Sequence, residues 1–167
     1  MKTSLLFVIL FYGFGVYAQK DSIQPPYKQF PTVPTFQILL SDSSTMNTKS
    51  QLSKKSPVLF MIFNPDCTHC QHETEIIFEH RDDLKKVQII MVTLRPLPMV
   101  KDFVLKYKLN ELPNVVVGRD ITSFTPSFFK FQGLPFLAVY NEKGNLINSF
   151  ESSLGIAGVL QLFKQTK

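Results

Sequence analysis

The chain has 167 residues, 44% of them hydrophobic, with 16 phenylalanines and a formal net charge of +5. That length predicts one domain, and the phenylalanines can supply a sizeable core. The basic residues are spread along the chain, without a Lys/Arg stripe interleaved with aromatics, so nucleic acid is not an expected partner.

Residues 1–18 read as a secretory signal peptide. Lys2 makes a positive start, and Leu5–Val16 is an apolar run broken only by glycines. Val16-Tyr17-Ala18 places small residues at −3 and −1 of a cut before Gln19. The run is shorter than the ~20 residues of a membrane-spanning helix. Processing would remove Lys2 alone among charged residues, leaving 17 − 13 = +4. The expected location is therefore the periplasm or cell envelope, membrane-tethered if the leader stays attached.

Residues 19–34 carry Pro25, Pro26, Pro31 and Pro34 and read as an extended arm. Residues 35–167 form the expected domain. Thr35–Leu40 is a strand candidate, and Ser41–Lys55 is a polar loop or hairpin. Val58–Phe63 is an apolar, β-branched and aromatic run of strand length. Asn64-Pro65-Asp66 is a turn. A helix is expected from about Cys67 to about Leu84, capped by Asp66 or Cys67, with Ile76, Ile77, His80 and Leu84 on its core face. Val87–Leu94 is a second buried strand, ended by Arg95-Pro96. Pro98–Leu109 is an amphipathic helix and Asn114–Val117 a short strand. Ile121–Phe131 is helical, with Phe124, Phe128 and Phe131 on one face. Gly133-Leu134-Pro135 leads into strand Phe136–Tyr140, Asn141–Gly144 is a hairpin turn, and Asn145–Phe150 pairs back. Gly155–Lys164 is a closing helix. Strands alternating with helices, then a hairpin and a helix, predict an α/β domain: a central mixed sheet flanked by helices on both faces.

The chain has two cysteines, Cys67 and Cys70. A disulfide stabilises chiefly by closing a long loop, and these two close a two-residue gap. Redox chemistry or metal binding is left. A thiol at a helix N-terminus meets unpaired N–H groups and the positive end of the dipole, both of which favour the reactive anion. The metal reading would enlist Cys67, Cys70, His72 and His80. A regular helix turns His72 away from Cys70, so a closed tetrahedral site is hard to build.

The run Cys67-Thr68-His69-Cys70 at a strand-to-helix turn, Leu134-Pro135 before a strand, the 141–144 hairpin and the terminal helix together resemble the thioredoxin superfamily. The resemblance spans roughly Phe36 to Lys167. Residues 71 to 134, 64 in all, exceed what one helix and one strand need. The surplus, Pro98–Leu109 and Asn114–Val117, looks like the central helix-strand insert of the TlpA/ResA-like branch of exported thiol-disulfide oxidoreductases. Glu73 matches an acidic residue of that branch. Asp66 stands in place of the usual tryptophan, and Met61 in place of thioredoxin's buried aspartate.

The resemblance implies a thioredoxin-like fold and a redox-active Cys67–Cys70 pair with no other cofactor and no metal. Cys67 would be the nucleophile and Cys70 the resolving thiol. His69 would stabilise the Cys67 thiolate and make the couple more oxidising. Glu73, one turn beyond Cys70, would relay its proton. Pro135 would be cis, facing the cysteines, with Leu134 backbone and Thr68 contacting substrate. Disulfides of envelope proteins are the implied substrates, to be reduced or oxidised, with a membrane thiol reductant or oxidant as partner and a monomer as the expected state. The alternatives are a binding module with vestigial cysteines and a cysteine-based metal carrier.

Overall fold

The computed structural model describes residues 24–48, 56–151 and 156–165. The expected signal peptide, the first part of the arm and residues 49–55 of the polar loop lie outside the described residues. Among these residues, helices α1 (Pro26–Gln29), α2 (Thr68–Glu79), α3 (Arg81–Leu84), α4 (Leu97–Lys106), α5 (Phe124–Phe129) and α6 (Ile156–Gln165) surround seven strands. The strands are β1 (Gln37–Leu40), β2 (Thr45–Asn47), β3 (Val58–Ile62), β4 (Gln88–Thr93), β5 (Val115–Asp120), β6 (Phe136–Tyr140) and β7 (Leu146–Glu151). They form one mixed sheet in the order β2-β1-β5-β4-β3-β6-β7. Strands β3, β4 and β5 run parallel, and β6 runs antiparallel to β3.

Every residue of β3 is buried. The pleat sends alternate side chains to opposite faces, and both faces are covered. Leu59 and Met61 join Ile89, Met91, Leu137 and Val139 under α2, α4 and α6. Val58, Phe60 and Ile62 join Ile90, Val92, Phe136 and Tyr140 under α1 and α5. A continuous apolar run, not an alternating one, is the sequence mark of such a strand. The second face is aromatic. Phe60 stacks on Phe129 at 5.2 Å, and Tyr27 meets Phe136 edge-on at 5.5 Å.

The described part of the arm is not merely extended. It makes the short turn α1, whose Tyr27 is buried and shares a 3.0 Å hydrogen bond with Ser149. Thr32 then bridges to Asn145, and Val33 N–H donates to the Gly144 carbonyl. Gly144 has φ +79°, the left-handed conformation the hairpin turn requires. The polar loop does contain a hairpin, β2 pairing back on β1.

Three expected elements differ. The helix expected over 67–84 breaks at His80, whose backbone leaves the helical region at φ −96°, ψ 22°. His80 is exposed instead of core-facing, and its Nδ1 lies 3.2 Å from Asp83 Oδ2 in the first turn of α3. The strand expected at Asn114–Val117 continues to Asp120, because Gly118, Arg119 and Asp120 pair with β1. Gly118 permits that approach: a Cβ there would sit 3.0 Å from Ile38 and 3.1 Å from the Leu39 carbonyl. The helix expected over 121–131 is only α5, and its most buried ring is Phe129, with Phe124, Phe128 and Phe131 half-buried around it.

The insert is present: α4 and β5 lie between β4 and β6 in the chain, and β5 extends the parallel part of the sheet. Asp120, at its end, is buried and organises the entry to α5. It accepts the N–H and hydroxyl of both Thr122 and Thr125, at 2.7–3.0 Å. Burial opposes ionisation, but these four donors outweigh it and hold the Asp120 carboxyl below its ordinary value of 3.8. A depressed folded-state value contributes stability above the unfolded value, lost as pH falls through the folded one. Asp120→Asn should therefore cost about 1–3 kcal/mol at pH 7. It should also flatten the loss of stability on acidification, as read by urea unfolding at pH 7 and pH 3.

Candidate active site

Strand β3 ends at Ile62, and the chain turns through Asn64-Pro65-Asp66 into α2. The turn is held by local bonds. Asn64 Oδ1 accepts the Asp66 N–H at 3.1 Å, and its carbonyl accepts the Cys67 N–H at 3.0 Å. Gln71 Nε2 reaches back to the Pro65 carbonyl at 2.7 Å. Cys67 is the N-cap of α2, in extended conformation, and its carbonyl accepts the Gln71 N–H. Cys67 is half-buried, whereas Thr68 and His69 are exposed.

Cys70 lies one turn on and is fully buried, part of the core under α2. Burial, reinforced by the neighbouring Cys67 sulfur, pushes its thiol up to about 12. The pair is thus split by environment: Cys67 reaches the surface, and Cys70 is a protonated thiol behind it. Glu73, also fully buried, follows one further turn along the helix.

The opposite wall comes from the sheet. Ile62 pairs with Phe136 in the antiparallel β3–β6 ladder, so the residues before β6 fall beside those after β3. The Leu134–Pro135 peptide bond is cis, and the Leu134 carbonyl lies 3.9 Å from Cys67 Sγ. Residues 67 positions apart along the chain, Cys67 and Leu134, are thereby brought together.

The parallel β3–β4 ladder brings in a residue outside the expected site. Ile62 pairs with Val92, which carries Arg95 to the turn. Arg95 Nη2 donates to Asp66 Oδ2 at 3.0 Å, across 29 positions of sequence. No local pattern signals this pair, because only the strand register creates it. Beside the turn a groove of about 240 Å³ is lined by Pro65, Gln71, Met99, Phe103 and Tyr107.

The histidines of the metal reading go elsewhere. His72 is exposed, 3.9 Å from Glu75, and His80 turns to Asp83. Among the described residues no three His, Cys, Asp or Glu side chains cluster as a metal site would require.

No family model and no curated protein matches the chain. Solved structures do. A thioredoxin-family thiol:disulfide interchange protein of Chlorobium tepidum superposes with a TM-score of 0.66 at 15% identity, over 85% of this chain and 96% of that one. The thioredoxin fold is shown. A secreted Mycobacterium tuberculosis disulfide oxidoreductase homologous to E. coli DsbE matches at TM-score 0.62 and 16% identity, over 75% of this chain and 94% of its own. The peroxidoxin BcpB of the same organism also shares the thioredoxin fold, at TM-score 0.66 and 12% identity, over 81% and 96%. A thioredoxin fold therefore does not by itself choose the reaction, and the side chains at the α2 terminus must.

The contrast between the two sulfurs has a direct readout. Iodoacetamide at pH 7 should modify Cys67 at least about a hundredfold faster than Cys70 in the reduced protein, since the thiolate is the nucleophile. Peptide mass mapping after timed quenching measures both rates.

Proposed function

We propose that this chain is an exported thiol-disulfide oxidoreductase acting on disulfides of envelope proteins. One observation carries the reading: Cys67 caps α2 at the surface, against the Leu134 carbonyl, with Cys70 buried one turn behind. That arrangement suits two-step exchange. The Cys67 thiolate attacks one sulfur of a substrate disulfide, forms a mixed disulfide and releases the other sulfur as a thiolate that takes up a proton. Cys70 then gives up its proton and attacks Cys67 Sγ. The second substrate sulfur leaves, the substrate gains two electrons, and the protein holds a Cys67–Cys70 disulfide. A membrane thiol donor restores the dithiol; run in reverse, the same steps oxidise a substrate dithiol.

Each neighbouring residue has a part in this reading. Glu73, buried one turn from Cys70, accepts the proton that Cys70 must lose. His69, exposed in the first turn, stabilises the Cys67 thiolate and shifts the couple towards oxidation. The Leu134 and Thr68 backbone and the groove beside the turn receive the substrate segment. Export is supported by the leader-like pattern of residues 1–18 and by the secreted protein among the similar structures. Among the described residues no helix is long and apolar enough to cross a membrane.

Equilibration in glutathione buffers, followed by alkylation and mass analysis, tests the reaction. A reversible dithiol–disulfide equilibrium is expected; thiols that stay reduced at every glutathione ratio would leave a binding module, and protection removed by a chelator would leave a metal carrier. Cys70→Ser should accumulate mixed disulfides through Cys67 when mixed with disulfide-bonded envelope proteins, and Cys67→Ser should not. Glu73→Gln should slow the resolving step about tenfold or more, with formation of the mixed disulfide unchanged, in stopped-flow exchange.

A further inference from the structure

Asp66 is a carboxylate immediately before the proposed nucleophile. Alone, it would repel a thiolate on Cys67 and disfavour the reactive form. Arg95 lies against it at 3.0 Å, brought there from the β4–α4 turn. The two side chains are 59% and 47% exposed, so the ion pair contributes little to folding stability. Its place matters more than its strength. It is the ion pair that bridges the two turns at the carboxyl ends of β3 and β4, and one of its members is a chain neighbour of Cys67. The other titratable groups around the turn are His69, Cys70 and Glu73 on α2, and Asp102 and Lys106 of α4, which line the groove that Asp66 also lines; on the β6 side the Leu134 carbonyl lies 3.9 Å from the sulfur.

We propose that Arg95 is a positioning residue for thiol exchange: it holds and neutralises Asp66, so that the thiolate of Cys67 forms beside a compensated charge pair and not beside a bare carboxylate. This rests on the redox reading of Cys67. It assigns to Arg95 a control over reactivity that is exerted through Asp66, without contact with substrate. It also explains how an acidic residue is compatible with a nucleophile directly after it.

The test is a charge cycle on the alkylation rate of Cys67, measured with iodoacetamide at pH 6 and low salt in a Cys70→Ser background. Arg95→Gln leaves Asp66 without its partner and should slow alkylation about three- to tenfold. Asp66→Asn leaves Arg95 bare and should speed it by a similar factor. The double variant should fall within about twofold of the parent, and Arg95→Lys should restore the parent rate to the same margin. About 1 M salt, where the screening length is near 3 Å, should shrink the single-variant effects. Single variants that both stay within about twofold of the parent, or that both move the rate the same way, would overturn the proposal. Both side chains are exposed, and a neutral replacement removes no core contact. Failure of the redox reading itself would appear separately, as the absence of a reversible Cys67–Cys70 disulfide in glutathione buffers.

Discussion

Strand β3 lies inside the sheet with β4 on one side and β6 on the other, and both of its faces are covered. No part of it can slip without moving buried side chains to the wrong face, since a shift of one residue exchanges the two faces. The ladders on either side are therefore fixed, Ile62 against Val92 and Ile62 against Phe136. Everything chemical in the molecule hangs on where this strand stops. Its end delivers Cys67, the end of β4 delivers Arg95, and the start of β6 delivers Leu134 and Pro135. Three segments distant in sequence meet at one edge because three strands share one register.

The aromatic face gives this edge a firm backing. Phe129 of α5 packs on Phe60, and Phe136 of β6 packs on both Tyr27 and Phe129. The loop carrying Leu134 and Pro135 runs between α5 and β6, so both of its ends are anchored in that cluster. Asp120 anchors α5 in turn through the threonines at its start. The insert thus extends the sheet through β5 and, through Asp120, braces the element that leads to the loop carrying Leu134 and Pro135.

Burial, applied unequally to two identical side chains, is what differentiates the cysteines. Cys70 points into the core under α2, where the cost of desolvating an anion keeps it protonated. Cys67, three positions earlier, sits at the helix end. Its backbone is extended, outside the helical turns, so its side chain does not follow the helix face that carries Cys70 into the core. The same fold carries a peroxidoxin in another protein. The scaffold supplies a helix terminus and a facing loop, and the side chains placed there decide what is done with them.

Much of this was legible without coordinates. The apolar runs at 58–63 and 87–94, the second interrupted only by Gln88 and Thr93, announced central strands, because a strand covered on both faces shows few polar positions. A helix start with Asp66 or Cys67 as its cap followed from turn chemistry, which is a local property, and the division of roles between Cys67 and Cys70 came from the resemblance. The elements that went astray were those whose limits depend on partners: β5 is lengthened by pairing with β1, α5 is shortened by the Asp120 network, and the long helix breaks where His80 turns to Asp83. The Asp66–Arg95 pair had no sequence mark at all. Periodicity and turn chemistry act over a few residues and so can be read along the chain, whereas a contact between two turns exists only once the register of two strands has set how far apart they end.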